Sequence, residues 1–143
     1  PDGFLVELAP TARQWWRDAA VTLHRGKLLT FDYGLTAEER LLPERAQGTL
    51  RAYRGHRVAS DLLAAPGEQD LTAHVNFTQL QAAGEAAGLR TDGLVGQTQF
   101  LTEVAGEFWR EVPPTGHEVR QFQTLTHPEH LGRAFRVLIQ SRA

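Results

Sequence analysis

The 143-residue chain contains no cysteine and no methionine, and Lys27 is its only lysine. Without cysteine there are no disulfides, no thiolate zinc sites and no cysteine nucleophile. Without methionine, Pro1 reads as a processed end or a cut and FLVEL as the middle of something, so a fragment is expected. The excess of arginine over lysine reads as coding bias. Charge of one sign is also missing: 15 basic against 17 acidic residues leave a formal net charge of −2. That balance gives no global attraction to nucleic acid or to an anionic membrane. No run approaches the roughly 18 apolar residues of a membrane span, and the start lacks the basic and apolar regions of a signal peptide. A cytoplasmic location is the expectation. GxGxxG, GxxxxGK[ST] and GxSxG are all absent, so no phosphate-cradling loop and no serine elbow is present.

What is there reads as alternating helices and strands. Apolar residues make up 41% of a chain long enough for one domain with its own core. Thr11 and Gln14 have capping-box spacing, and Trp16, Ala19, Ala20 and Leu23 form an amphipathic stripe, predicting a helix over 11–25 closed by Gly26. KLLTFDYG then predicts a buried strand over 27–32, the second half of a βαβ unit. From Leu35 to about Arg57 periodicity is lost, which predicts a long loop after a strand end, where α/β proteins build sites. DLTAHVNF alternates and predicts a half-buried extended segment. Asn76 and Gln79 predict the start of a helix over 77–87, with Val75 and Leu80 as its staple and Gly88 as its stop. A short strand over 89–95, helical stripes around 101–108 and 117–125, and a strand over 134–140 complete the chain. The fold class is α/β, and the low strand count predicts one half of a doubly wound sheet: a single partial domain.

Several residues can carry chemistry. Asp32 and Tyr33 sit where a parallel strand delivers side chains to a crevice; Asp32 either meets a substrate there or simply caps the loop. Arg51, Arg54, His56 and Arg57 surround Tyr53 in GTLRAYRGHR, a pattern that suits a phosphate or carboxylate and equally a solvated surface. Asp70, Thr72, His74 and Asn76 share one face of the extended segment. His74 with Asp70 has the makings of a general base and its orienter, or of a structural histidine beside an N-cap. His127-Pro128-Glu129-His130 has HxxH spacing, but Pro128 fits only a first helical turn and His117 has no assigned place as third ligand, so no metal is expected.

The segments GKLLTFDYG, TLRAYRGHR, PGEQDLTAHVNF, QTQFL and THPEHLGRAFRVLIQ, in this order over roughly residues 10 to 140, resemble the C-terminal half of the MidA-like family of S-adenosylmethionine-dependent methyltransferases. Its mitochondrial members are arginine methyltransferases acting in assembly of respiratory complex I. The resemblance implies the C-terminal half of a Rossmann-like methyltransferase sheet with a loop-rich insertion, about 35–76, over the cleft. It places the glycine-rich S-adenosylmethionine loop and the acidic ribose contact before Pro1, so no cofactor-binding residue is expected in this chain. GKLLTFDYG looks like the fifth strand and AFRVLIQ like a late antiparallel strand. Asp32 and Asp70 are then the candidate catalytic carboxylates, with Tyr33, Arg51, His56 and His74 lining the substrate cleft. The expected partners are the missing N-terminal half and a protein substrate, with a homodimer left open and, from charge and hydropathy, no nucleic acid and no membrane. The rival reading is a non-catalytic docking domain that uses the Leu35–Phe77 surface.

Overall fold

The computed structural model describes residues 2–129 and 131–143. Helix α1 (Pro10–Thr22) opens with Pro10 in its first turn and Ala9 before it. Proline's fixed φ suits that place, and its missing N–H is not needed there. No side chain caps the helix, so the Thr11 capping box expected from the spacing does not form. The helix also stops at Thr22, short of residue 25. Gly26, at φ +123°, opens the next strand instead of closing the helix.

Strand β1 (Gly26–Leu35) continues past residue 32, where the sequence reading ended it. Gly34 lies within the strand rather than at a turn. A Cβ there would overlap the Val75 carbonyl oxygen and come within 2.6 Å of the Phe77 ring, so glycine permits this close approach.

The segment expected as a loop is built of short elements: α2 (Ala37–Arg40), a 3-10 turn at Pro43–Arg45, and strands β2 (Arg51–Arg54), β3 (Arg57–Ala59) and β4 (Asp70–Thr72). The three strands form a separate antiparallel sheet of order β3-β2-β4. Gly55 and His56 join β2 to β3 with φ values of 55° and 62°, the doubly left-handed turn whose twist matches a hairpin. The Arg-rich run is therefore a hairpin and its tip. Strand β5 (Val75–Asn76) follows, so the alternating segment is split at Ala73 and His74, and Leu71 faces solvent.

Helix α3 (Phe77–Ala86) starts as expected, with Asn76 Oδ1 accepting the Gln79 N–H at 3.1 Å. It ends on Gly88 (φ +85°), where Leu89 N–H donates to Gly84 O and Gly88 N–H to Glu85 O, both at 2.9 Å. This is the double bond of a Schellman cap. Strand β6 (Arg90–Gly96), helices α4 (Gln97–Glu111) and α5 (Gly116–Thr126) and strand β7 (Phe135–Arg142) complete a mixed α/β arrangement. The main sheet has the order β5-β1-β7-β6. Strand β7 is antiparallel to β1 and to β6, as expected for the late strand, so β1 and β6 run the same way on either side of it. Strand β5 is parallel to β1 but pairs only with Gly34 and Leu35. Along Gly26–Tyr33 the edge of β1 away from β7 has no strand among the described residues.

Trp16, Phe77, Leu80, Ala83 and Leu138 form the buried cluster between α1, α3 and the sheet. Gln140 sits in it fully buried. Its Oε1 accepts the Trp16 Nε1–H at 2.8 Å, and its Nε2 donates to Gln81 O at 3.0 Å and to Thr91 Oγ1 at 2.8 Å. The amide approaches α3 so closely that a Cβ at Gly84 would overlap it. On an exposed helix, Gly→Ala gains about 1 kcal/mol. Here Gly84→Ala is expected to cost about 1–3 kcal/mol through overpacking, read by urea or thermal denaturation; a neutral or stabilised variant would show that Gln140 has slack.

Candidate functional site

The residues that converge at the C-terminal end of β1 are tied together by one carboxylate. Glu7, in the segment before α1, accepts hydrogen bonds from the Thr49 N–H, from the Leu50 N–H at 2.8 Å and from Arg40 Nη2 at 2.7 Å. Burial acts to raise the Glu7 pKa, but the two backbone N–H groups and the Arg40 charge outweigh it and hold the group below the ordinary carboxylate range. Arg40, on α2, is buried, and its Nη1 donates to the His74 carbonyl at 3.2 Å. The His74 N–H donates in turn to Thr49 Oγ1 at 2.9 Å. The His74 backbone is thus held on both sides while its ring stays available to the cleft.

The ring packs edge-on against Tyr33, with centroids 5.6 Å apart, and Tyr33 packs edge-on against Phe135 at 5.7 Å. His74 Nδ1 is buried without a hydrogen-bond partner. Its pKa is held below the ordinary histidine value, chiefly by burial and then by the Arg45 and Arg51 charges, against a smaller pull from Glu7. Asp32, half-buried, accepts the Tyr33 N–H at 2.8 Å. Burial raises its pKa, and the Tyr33 N–H and His74 offset only part of that rise.

Two hollows meet here, of about 300 and 340 Å³, and both are lined by Tyr33, His74 and Ala134. Arg51 lines the second. Asp32 adjoins them through Tyr33 but lines neither. Asp70 and His56 are elsewhere, around a third hollow of the small sheet. Asp70 is exposed and forms no hydrogen bond with His74. The structure therefore gathers Tyr33, His74 and Arg51, sets Asp32 beside them, and separates Asp70 and His56 from them.

Residues not singled out by sequence reasoning are as prominent. Glu39 and Arg136 form a two-point ion pair at 2.6 and 2.8 Å, and Arg45 and Arg133 line the same hollow. The Thr36–Glu39 spacing, a capping box that closes at both ends, was a readable signal for α2. Arg136 is opposite Asp32 in the β1–β7 register but turns to Glu39 instead. No cluster of three or more metal-ligating side chains occurs among the described residues, and His130 of the HxxH motif lies outside them. No helix of the described residues is long and apolar enough to cross a membrane.

The Arg136 guanidinium, then the Thr36 N–H, hold Glu39 at a pKa of about 2 against an ordinary 4.5. A depressed carboxylate stabilises the fold fully above its unfolded value, and the contribution disappears as pH falls through the folded one. Arg136→Gln is expected to lose at most about 1 kcal/mol near neutral pH, because the pair is a third exposed. The gap from the parent should close below the ordinary carboxylate pKa, as followed by urea titrations at several pH values; a gap independent of pH would exclude the ion pair as its cause.

Comparison with known proteins extends this picture. Residues 2–95 match the family model described as "Putative S-adenosyl-L-methionine-dependent methyltransferase". Over 121 residues the chain is 31% identical to the mitochondrial protein arginine methyltransferase NDUFAF7 homologue of Drosophila melanogaster, covering 79% of this chain and 26% of the fly protein. An uncharacterised Burkholderia thailandensis protein overlays 99% of the chain with a TM-score of 0.84 and 31% identity, and the chain covers 40% of it. A Burkholderia thailandensis protein solved with S-adenosyl-homocysteine bound overlays the same share with a TM-score of 0.77 and 30% identity, with 38% of that chain covered. The chain thus spans between about a quarter and two-fifths of these relatives. Among the described residues, Gly96, the N-cap of α4, faces open space and no glycine-rich run surrounds it. The match over two-thirds of its residues places the chain in this family of S-adenosyl-L-methionine-dependent methyltransferases.

Proposed function

We propose that the protein containing this chain transfers a methyl group from S-adenosylmethionine to a side-chain nitrogen of another protein, arginine being the acceptor. The observation that carries this reading is the overlay of nearly the whole chain on the bacterial protein solved with S-adenosyl-homocysteine. The fly relative, named as an arginine methyltransferase, supports the choice of acceptor.

In this reading the main sheet is the C-terminal half of a Rossmann-like sheet, and the segment 35–76 is an insertion beside the substrate cleft. The bare edge of β1 along Gly26–Tyr33 receives a strand from the rest of the protein, satisfying backbone groups that an open edge leaves unpaired. The exposed Leu29 and Phe31 on that strand fit the same burial. The glycine-rich turn that holds S-adenosylmethionine also belongs to those residues, and the protein works in the bacterial cytoplasm.

The cofactor supplies an electrophilic methyl group, and this chain's residues act on the acceptor. Tyr33 and His74 form a wall that excludes water from the acceptor side chain. Asp32, at the end of β1, accepts a hydrogen bond from the guanidinium and orients its nitrogen. Asp70, exposed on the small sheet, takes no part.

In the full-length protein, Asp32→Asn is expected to lower methyl transfer to an arginine peptide by about 10²-fold, while Asp70→Asn stays within about twofold of the parent. Mass spectrometry of the methylated peptide reads both. Full activity in Asp32→Asn would remove Asp32 from the mechanism, and no methylation by the parent of any arginine-containing protein would remove the acceptor assignment.

A further inference from the structure

Around the two hollows at the end of β1, guanidinium groups outnumber carboxylates. Arg45, Arg133 and Arg136 line one hollow and Arg51 the other, against only Glu39 and Glu44. Glu39 is already committed to Arg136 through both oxygens. The Arg51 side chain donates to the Leu50 carbonyl at 2.7 Å and forms no ion pair among the described residues. The side chains of Arg45 and Arg133 have neither a hydrogen bond nor an ion pair among the described residues. Three guanidinium groups in two adjoining hollows that share Tyr33, His74 and Ala134 are thus without an ion-pair partner among the described residues, and Glu44, in the hollow of Arg45 and Arg133, pairs with none of them. The positive field is felt locally, since Arg45 and Arg51 both disfavour the charged form of His74.

Such a cleft repels a bare cationic side chain. It accepts one that arrives with its own negative charges, because a guanidinium fork pairs with a carboxylate through parallel N–H···O bonds and like charges across an interface are penalised. We propose that Arg45, Arg51 and Arg133 bind carboxylates of the acceptor protein, so that the methylated residue is recognised within an acidic stretch of Asp or Glu. This inference rests on the methyltransferase reading above and names its substrate class.

The test uses the full-length protein and three fluorescein-labelled peptides with a central arginine flanked by Glu, by Gln or by Lys. Fluorescence anisotropy should show the Glu-flanked peptide binding about tenfold more tightly than the Gln-flanked one, with the Lys-flanked one weakest. The advantage should shrink in high salt. It should also shrink in Arg51→Gln and Arg133→Gln, which alter exposed side chains. Equal binding of the Glu and Gln peptides, no binding of either, or a preference unchanged in both variants would overturn the proposal. The comparison of peptides on the parent protein stands even where a variant fails to fold. Calorimetric titration with S-adenosyl-homocysteine reads the underlying assignment separately. Cofactor binding with no peptide preference refutes the acidic acceptor alone, whereas absent cofactor binding refutes the methyltransferase reading and leaves the peptide result to judge the anion site.

Discussion

A buried indole–amide contact between Trp16 and Gln140 connects residues 124 positions apart and fixes the geometry of the main sheet. An amide in an apolar core is costly unless each of its polar atoms is satisfied. Gln140 meets that condition by drawing one group from each neighbour: the indole of α1, a carbonyl of α3 and a hydroxyl of β6. Those partners are directional, so α1 and α3 cannot slide over β7 as two greasy surfaces can. Gly84 follows from the same constraint, since the amide occupies the space a methyl group would take. The end of β1 is then held in register with β7, and that end carries Tyr33 and Asp32.

A second polar centre, on Glu7, performs the same task for the cleft. The carboxylate gathers the backbone of residues 49 and 50 and the Arg40 side chain, and through Arg40 and Thr49 the backbone of His74. The segment before α1, α2, the small sheet and the strand end are therefore parts of one assembly. The two centres differ in what they protect: Gln140 holds a dry core, whereas Glu7 holds a polar rim whose arginines remain open to solvent or to an anion.

Much of this was legible in the sequence where local chemistry is strong. The Asn76 cap, the Gly88 stop, the strand over Arg90–Gly96 and the existence of the late strand all follow from residues whose preference does not depend on distant partners. Misreadings arose where two local signals competed. Pro10 outranked Thr11 as a helix start because it fixes φ one residue earlier. Strands β2, β3 and β4 have four, three and three residues, too few for alternation to register, and their arginines read as loop. At the candidate site, Asp32 and Tyr33 were visible as a strand end. The pairing of Glu39 with Arg136, 97 positions apart, exists only through the register of β1 and β7. Likewise, nothing in the local pattern separates Asp70 from His74; a break at Ala73 does so by ending one sheet and starting another.

The position of β7 has a consequence for how the chain is made. It follows every other strand of the chain, yet it lies in the middle of the main sheet between β1 and β6. During synthesis β1 and β6 therefore emerge before the strand that lies between them, and the core amide that fixes α1 and α3 is not yet translated. Joining β1 to β6 must wait for β7, so this pairing is slow in loop-closure terms and its intermediates expose the two edges that β7 covers. A nascent chain stalled before residue 135 would present to the chaperones of the cell the edges of β1 and β6 that the eight residues of β7 cover.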